Sequence, residues 1–124
     1  MKTKKILSCV LSVAMFLSSP ALWALPTGQQ VVSGNPNFSR SAQQLIINNA
    51  DNSIINWQDF SISVGELTQF NQAAQSAVLN RVVGNNLSEL HGALKSQGKV
   101  FLINPNGILV GPQGTIDTNG FVAS

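Results

Sequence analysis

Apolar residues along this chain come in short bursts, each closed by glycine, proline or a knot of asparagine and aspartate. The clearest is Phe60-Ser61-Ile62-Ser63-Val64, where strict alternation places Phe60, Ile62 and Val64 on one face of a strand. Comparable β-rich runs are Gln30–Ser33, Gln44–Asn48, Ser53–Trp57, Leu67–Asn71, Ala77–Val83, Val100–Ile103, Ile108–Val110 and Thr115–Asp117. A dense turn cluster, Asn48-Asn49-Ala50-Asp51-Asn52, separates the second of these from the third. The one helical spacing is Leu87, Leu90 and Leu94 at i, i+3 and i+7, which predicts a helical turn or two over 87–94, weakened by Gly92. The pattern is that of an all-β chain.

Four consecutive apolar residues, Val100-Phe101-Leu102-Ile103, predict a strand buried on both faces or covered on its outer face by another element. Asn104-Pro105-Asn106-Gly107 then fits a type I turn position by position. Asn104 bonds backbone two residues on, Pro105 presets φ, Asn106 tolerates the third position and Gly107 suits the fourth. Asn106-Gly107-Ile108 and Asn119-Gly120-Phe121 look like the same turn-to-strand junction. Hairpin sheets and a parallel solenoid both fit such spacing. Solenoid coils of about 20 residues would number about four or five after the leader described next.

Lys2, Lys4 and Lys5 precede an apolar run from Ile6 to Leu17, the layout of a Sec-type export signal. That run is too short for a membrane span, which needs about 20 residues. Cleavage is placed after Ala24, with a cut after Ala21 as the alternative because Leu22 is a poor −3 residue. Residues 1–24 are thus a leader and 25–124 a single domain. This division changes the charge picture. The whole chain of 124 residues is net +2, but from Leu25 onward there are 4 cations and 5 anions, so no basic face exists for nucleic acid. The cleaved chain holds no cysteine and cannot use disulfides. It holds 13 Asn and 10 Gln against 9 charged residues, which suits an elongated β structure with amide ladders and amide-to-backbone bonds at turns.

Candidate chemistry is sparse. His91 is the only histidine, and zinc needs three or four N or S ligands. No G-x-S-x-G context surrounds any serine, and Asp51, Asp59, Glu66, Glu89 and Asp117 form no evident pair. Gly107, Gly111 and Gly114 lack the Lys-Ser/Thr pair of a phosphate loop and read as turn residues. No catalytic, cofactor or metal residue is assigned, and His91 is expected at the surface or a helix edge. Trp57 and Phe60 are expected in the core or its cap.

Several segments, in order, resemble the N-terminal two-partner secretion domain of filamentous-haemagglutinin-like exoproteins, in the style of high-molecular-weight adhesins. They are Leu25-Pro26-Thr27-Gly28, Ile54 to Ile62, Asn80-Arg81-Val82, Gly98 to Ile108 and Asp117 to Ser124. The resemblance implies a right-handed parallel β-helix with an N-terminal cap and extra-helical strands. It implies a secretion signal recognised in the periplasm by the POTRA modules of a dedicated outer-membrane transporter, after Sec export, with delivery to the cell surface or medium. The family's secretion motif maps to Asn104, Pro105, Asn106, Gly107 and Ile108. Family members run far past this length, so the chain is expected to be the front part of a longer exoprotein and to act as a monomer. Contacts with host-cell surfaces or glycans would belong to the missing downstream region. The alternatives are a free-standing carbohydrate-binding or adhesive β-helix, the front of a cytolysin or contact-dependent toxin, and a β-helix polysaccharide lyase. The last is disfavoured because Arg40, Arg81, Lys95 and Lys99 are dispersed.

Overall fold

The computed structural model describes residues 25–124, so the leader and its cleavage at Ala24 lie outside the described residues. Those residues form twelve strands: β1 Gln30–Ser33, β2 Asn37–Arg40, β3 Gln44–Asn48, β4 Ser53–Trp57, β5 Leu67–Asn71, β6 Ala77–Val82, β7 Ser88–Leu90, β8 Ala93–Ser96, β9 Lys99–Ile103, β10 Ile108–Val110, β11 Thr115–Asp117 and β12 Gly120–Ala123. Short alternating runs closed by glycine and asparagine fold this way because each strand buries every second side chain and then turns a corner.

The strands stack into a parallel β-solenoid. One sheet runs β1-β4-β6-β9-β12, the second β2-β3-β5-β8-β11, and the third pairs β7 with β10. Every coil-to-coil pairing is parallel: β3 on β5, β5 on β8, β8 on β11, β4 on β6, β6 on β9 and β9 on β12. On the third face Ile62 bridges to Leu90, and Ser88–Leu90 pairs with Ile108–Val110. This eliminates the hairpin reading. The rung Val78, Val100, Phe121 shows coils slightly longer than the roughly 20 residues expected.

The N-terminal end is closed by antiparallel strands on two faces and by a single antiparallel bridge at the corner before the third. β1 covers β4, β2 covers β3, and Thr27 bridges Asp59. The Arg40 guanidinium ties this cap together by donating to the Pro26 carbonyl at 2.7 Å.

Inside, mostly apolar side chains stack along the solenoid axis, with a few buried polar ones among them. Ile47 stacks on Phe70, and Ile55 on Asn80 on Leu102. Trp57 meets Phe38 and Phe60 edge-on at 6.0 and 5.5 Å, and Phe60 stacks on Phe70 at 6.5 Å. Trp57 and Phe60 are therefore core residues, as expected. Thr68 lies fully buried between Leu45 and Leu94, and its hydroxyl has no partner. Thr68→Val keeps the shape and removes the orphan, so it should stabilise the domain by about 1 kcal/mol. A thermal melt followed by circular dichroism should then rise by about 4–8 °C. An unchanged or lower midpoint would show that the hydroxyl is satisfied.

Three expectations need correction. Residues 87–94 are not helical: β7 and β8 occupy the segment, with Leu90 and Leu94 pointing inward from two different faces. The corner between them needs glycine, since a Cβ on Gly92 would run into the carbonyls of Ser63 and Glu66. His91 sits beside a strand end with its side chain partly exposed, the surface place of the two expected for it. Phe60–Val64 makes only a single bridge at Ile62, and Val64 is 62% exposed because the chain turns away at Gly65. Finally, Val100–Ile103 is buried on one face: Val100 and Leu102 point inward, Phe101 is half-buried and Ile103 is exposed.

Candidate functional site

The Asn104–Ile108 segment forms a corner between β9 and β10, and its geometry follows from its residue types. Gly107 N–H donates to the Asn104 carbonyl at 3.1 Å, closing the four-residue turn. Asn106 N–H donates to Asn104 Oδ1 at 2.9 Å, the side-chain turn anticipated for an asparagine at this position. Gly107 has φ 114°, a left-handed value that disfavours any residue with a Cβ. Ile108 starts β10 in register with Ser88, and Ser88 N–H donates to the Gly107 carbonyl at 2.9 Å.

Asn104 is almost fully buried. Its Nδ2 donates to the Asn86 carbonyl and to Ser88 Oγ, both at 3.0 Å. Asn106, on the surface, donates through Nδ2 to the Gly84 carbonyl at 2.8 Å and to Asn104 Oδ1 at 3.0 Å. The turn is thus clamped onto the corner of the coil beneath it. That lower corner is tied down in turn: Asn86 Nδ2 donates to Asp59 Oδ1 at 2.9 Å, one coil further back. Above, Asn104 N–H donates to the Ser124 carbonyl at 2.9 Å. A column of polar contacts therefore runs through four successive coils at one corner. Pro105 is exposed and makes none of these bonds; its part is to hold the backbone at the second turn position.

The motif residues are brought together, while its supports, Gly84, Asn86 and Ser88, escaped sequence reasoning. The available signal was Asn85-Asn86, a turn cluster one coil before Asn104. The amide ladders expected from composition are present elsewhere too. Asn71 Nδ2 donates to Asn48 Oδ1 at 3.1 Å, Asn49 Nδ2 to Gln72 Oε1 at 2.9 Å, and Gln72 Nε2 to Ser96 Oγ at 2.9 Å. Trp57 Nε1 donates to Asn80 Oδ1 at 2.8 Å inside the core.

Catalytic geometry does not assemble. His91 Nε2 lies 3.4 Å from Glu89 Oε1 on the third face, and no group of three His, Cys, Asp or Glu suited to a metal occurs among the described residues. An apolar groove of about 290 Å³ on the outer face of the β4-β6-β9 sheet is lined by Ile54, Leu79 and Phe101 with Asn52, Ser53, Ala77 and Val78, and carries no titratable side chain.

Comparison with known proteins agrees with this geometry. The TPS secretion domain family matches residues 24–124. The crystal structure of the HMW1 secretion domain from Haemophilus influenzae superposes with a TM-score of 0.77 at 46% identity, covering 79% of this chain and 27% of that one. Two heme/hemopexin-binding proteins of Haemophilus influenzae are similar. One is 35% identical over 81% of this chain and 11% of its own length, the other 31% identical over 91% and 12%.

Proposed function

The chain belongs to the TPS secretion domain family, and from that premise we propose that residues 25–124 form the front of a secretion signal read by the POTRA modules of a cognate outer-membrane transporter. As a TPS secretion domain it is a secretion module of a large exoprotein and not an enzyme, and its destination is the cell surface or medium by way of the periplasm and outer membrane. The observation that carries the reading is the four-coil polar column centred on Asn104, in a chain 46% identical to a solved secretion domain. In this proposal residues 1–24 are the Sec leader, and Asn104, Pro105, Asn106, Gly107 and Ile108 set the corner that a secretion-competent domain requires. An exposed strand adding to a sheet edge of the POTRA modules is the mode of contact that suits so strand-rich a domain.

The chain spans about a tenth of the heme/hemopexin-binding relatives. Their ligand is not carried over to residues 25–124, where His91 is the only histidine and cysteine is absent.

The test uses the full-length parent expressed with its transporter. Asn104→Ile, or Gly107→Val against the positive φ, should leave the exoprotein in the periplasm, read by fractionation and immunoblotting. Normal amounts of either variant in the medium would overturn the assignment of the motif.

A further inference from the structure

Asn106 and Gly107 are an asparagine-glycine pair, the dipeptide in which backbone nitrogen most readily attacks the preceding side-chain amide, because glycine puts no Cβ in the way. The corner needs both members. Gly107 supplies φ 114°, and Asn106 supplies the Nδ2 donor to Gly84 and Asn104. The residues that make the turn are thus the residues that make it chemically labile whenever it is open.

We propose that Asn106 is a deamidation site closed by folding, so that the turn limits how long an unfolded chain remains able to fold. In the reaction the Gly107 nitrogen attacks Asn106 Cγ, forming a C–N bond. Nδ2 departs as ammonia, taking the Gly107 amide proton, and a five-membered succinimide remains. Water, the only co-reactant, opens the ring at either carbonyl to give aspartate or isoaspartate. In the folded chain both reacting groups are held. Gly107 N–H is engaged by the Asn104 carbonyl, and the Asn106 amide is tethered to the Gly84 carbonyl and Asn104 Oδ1.

Neither product fits the corner. Aspartate presents oxygen where the Gly84 carbonyl, Asn104 Oδ1 and, at 3.5 Å, the Asn86 carbonyl all await a donor. Isoaspartate adds a backbone atom between positions 106 and 107, which opens the four-residue turn and shifts β10 out of register with Ser88. Asn119-Gly120 provides an internal contrast. There Asn119 Nδ2 reaches a single acceptor, the Ala74 carbonyl at 2.6 Å, so the aspartate product forfeits one bond between coils.

The experiment ages the full chain in mildly alkaline buffer and, in parallel, in concentrated urea, with isoaspartate and aspartate at position 106 followed by peptide mass spectrometry. Modification should build up in urea and be at least about tenfold slower in buffer, the factor that about 1.4 kcal/mol of opening free energy provides. Diluting the urea-aged sample into buffer should then restore β-type circular dichroism only to the fraction that still carries Asn106 and is free of isoaspartate at 119, which the same spectra read. Asn106→Gln, aged identically and compared with its own fresh sample, should recover all but the fraction carrying isoaspartate at 119. Equal rates in buffer and urea would overturn the proposal, whether the corner fails to protect or the chain fails to fold. Full recovery of chains carrying isoaspartate at 106 would overturn it as well.

Discussion

Trp57→Ala should leave the domain unfolded at room temperature. Trp57 is fully buried, meets the rings of Phe38 and Phe60, and gives its Nε1 proton to Asn80 Oδ1. Truncating a buried tryptophan costs about 3–5 kcal/mol. Stranding the Asn80 oxygen in the core adds about 1–3 kcal/mol. Natural domains hold only about 5–15 kcal/mol in total, and one of about 100 residues without disulfides belongs towards the low end. Urea titration followed by far-UV circular dichroism is the measurement, with Trp57→Phe as the milder comparison that keeps the ring contacts and loses the hydrogen bond. A cooperative Trp57→Ala transition close to the parent midpoint would refute the central place given to this side chain.

Asn104→Leu carries the second large effect. It removes both Nδ2 bonds and the Oδ1 acceptor used by Asn106, leaving Ser88 Oγ and the Asn86 carbonyl without their buried donor. A loss of about 2–4 kcal/mol follows from two or three such groups at the ordinary value of a hydrogen bond. Asn104→Asp separates donor from acceptor, because it retains Oδ1 but places a carboxylate against two acceptors. Burial favours its protonated form, so the folded pKa lies above the ordinary value of about 3.9. With the folded pKa raised, the variant gains stability as pH falls through that raised value, and the deficit relative to the parent should shrink from neutral towards mildly acidic pH. Urea midpoints at the two pH values read this directly. A deficit independent of pH would mean that the carboxylate escapes to solvent.

Much of the fold was legible because a solenoid strand advertises itself. Gln44–Asn48, Ser53–Trp57 and Leu67–Asn71 are short β-rich runs set off by turn residues, and they appear unchanged as β3, β4 and β5 with every second side chain buried. What escaped did so for physical reasons. β2 buries only part of Phe38, so it leaves no alternating trace. β7 and β8 are short strands on different faces, and Leu90 and Leu94 imitate a helical repeat because the corner at Gly92 returns the chain inward after four residues. The turn at Asn104 was readable from its own four residues. Its clamps were not, since Gly84, Asn86 and Ser88 come close to it only through stacking of one coil on another.

The cap has a kinetic meaning as well as a structural one. β1 and β2 precede in sequence the coil they cover, so the closed end is built entirely from residues up to Asp59 and needs no later coil. Each later strand then docks on the strand one coil behind it, as Val100 does on Val78 and Phe121 on Val100. Loop-closure entropy grows only with the logarithm of the segment closed, and here that segment is about one coil at every step. Order is therefore expected to advance as a front with a nearly constant barrier per coil, and because each step is a parallel pairing across about one coil, that front belongs to the slow end of folding rates.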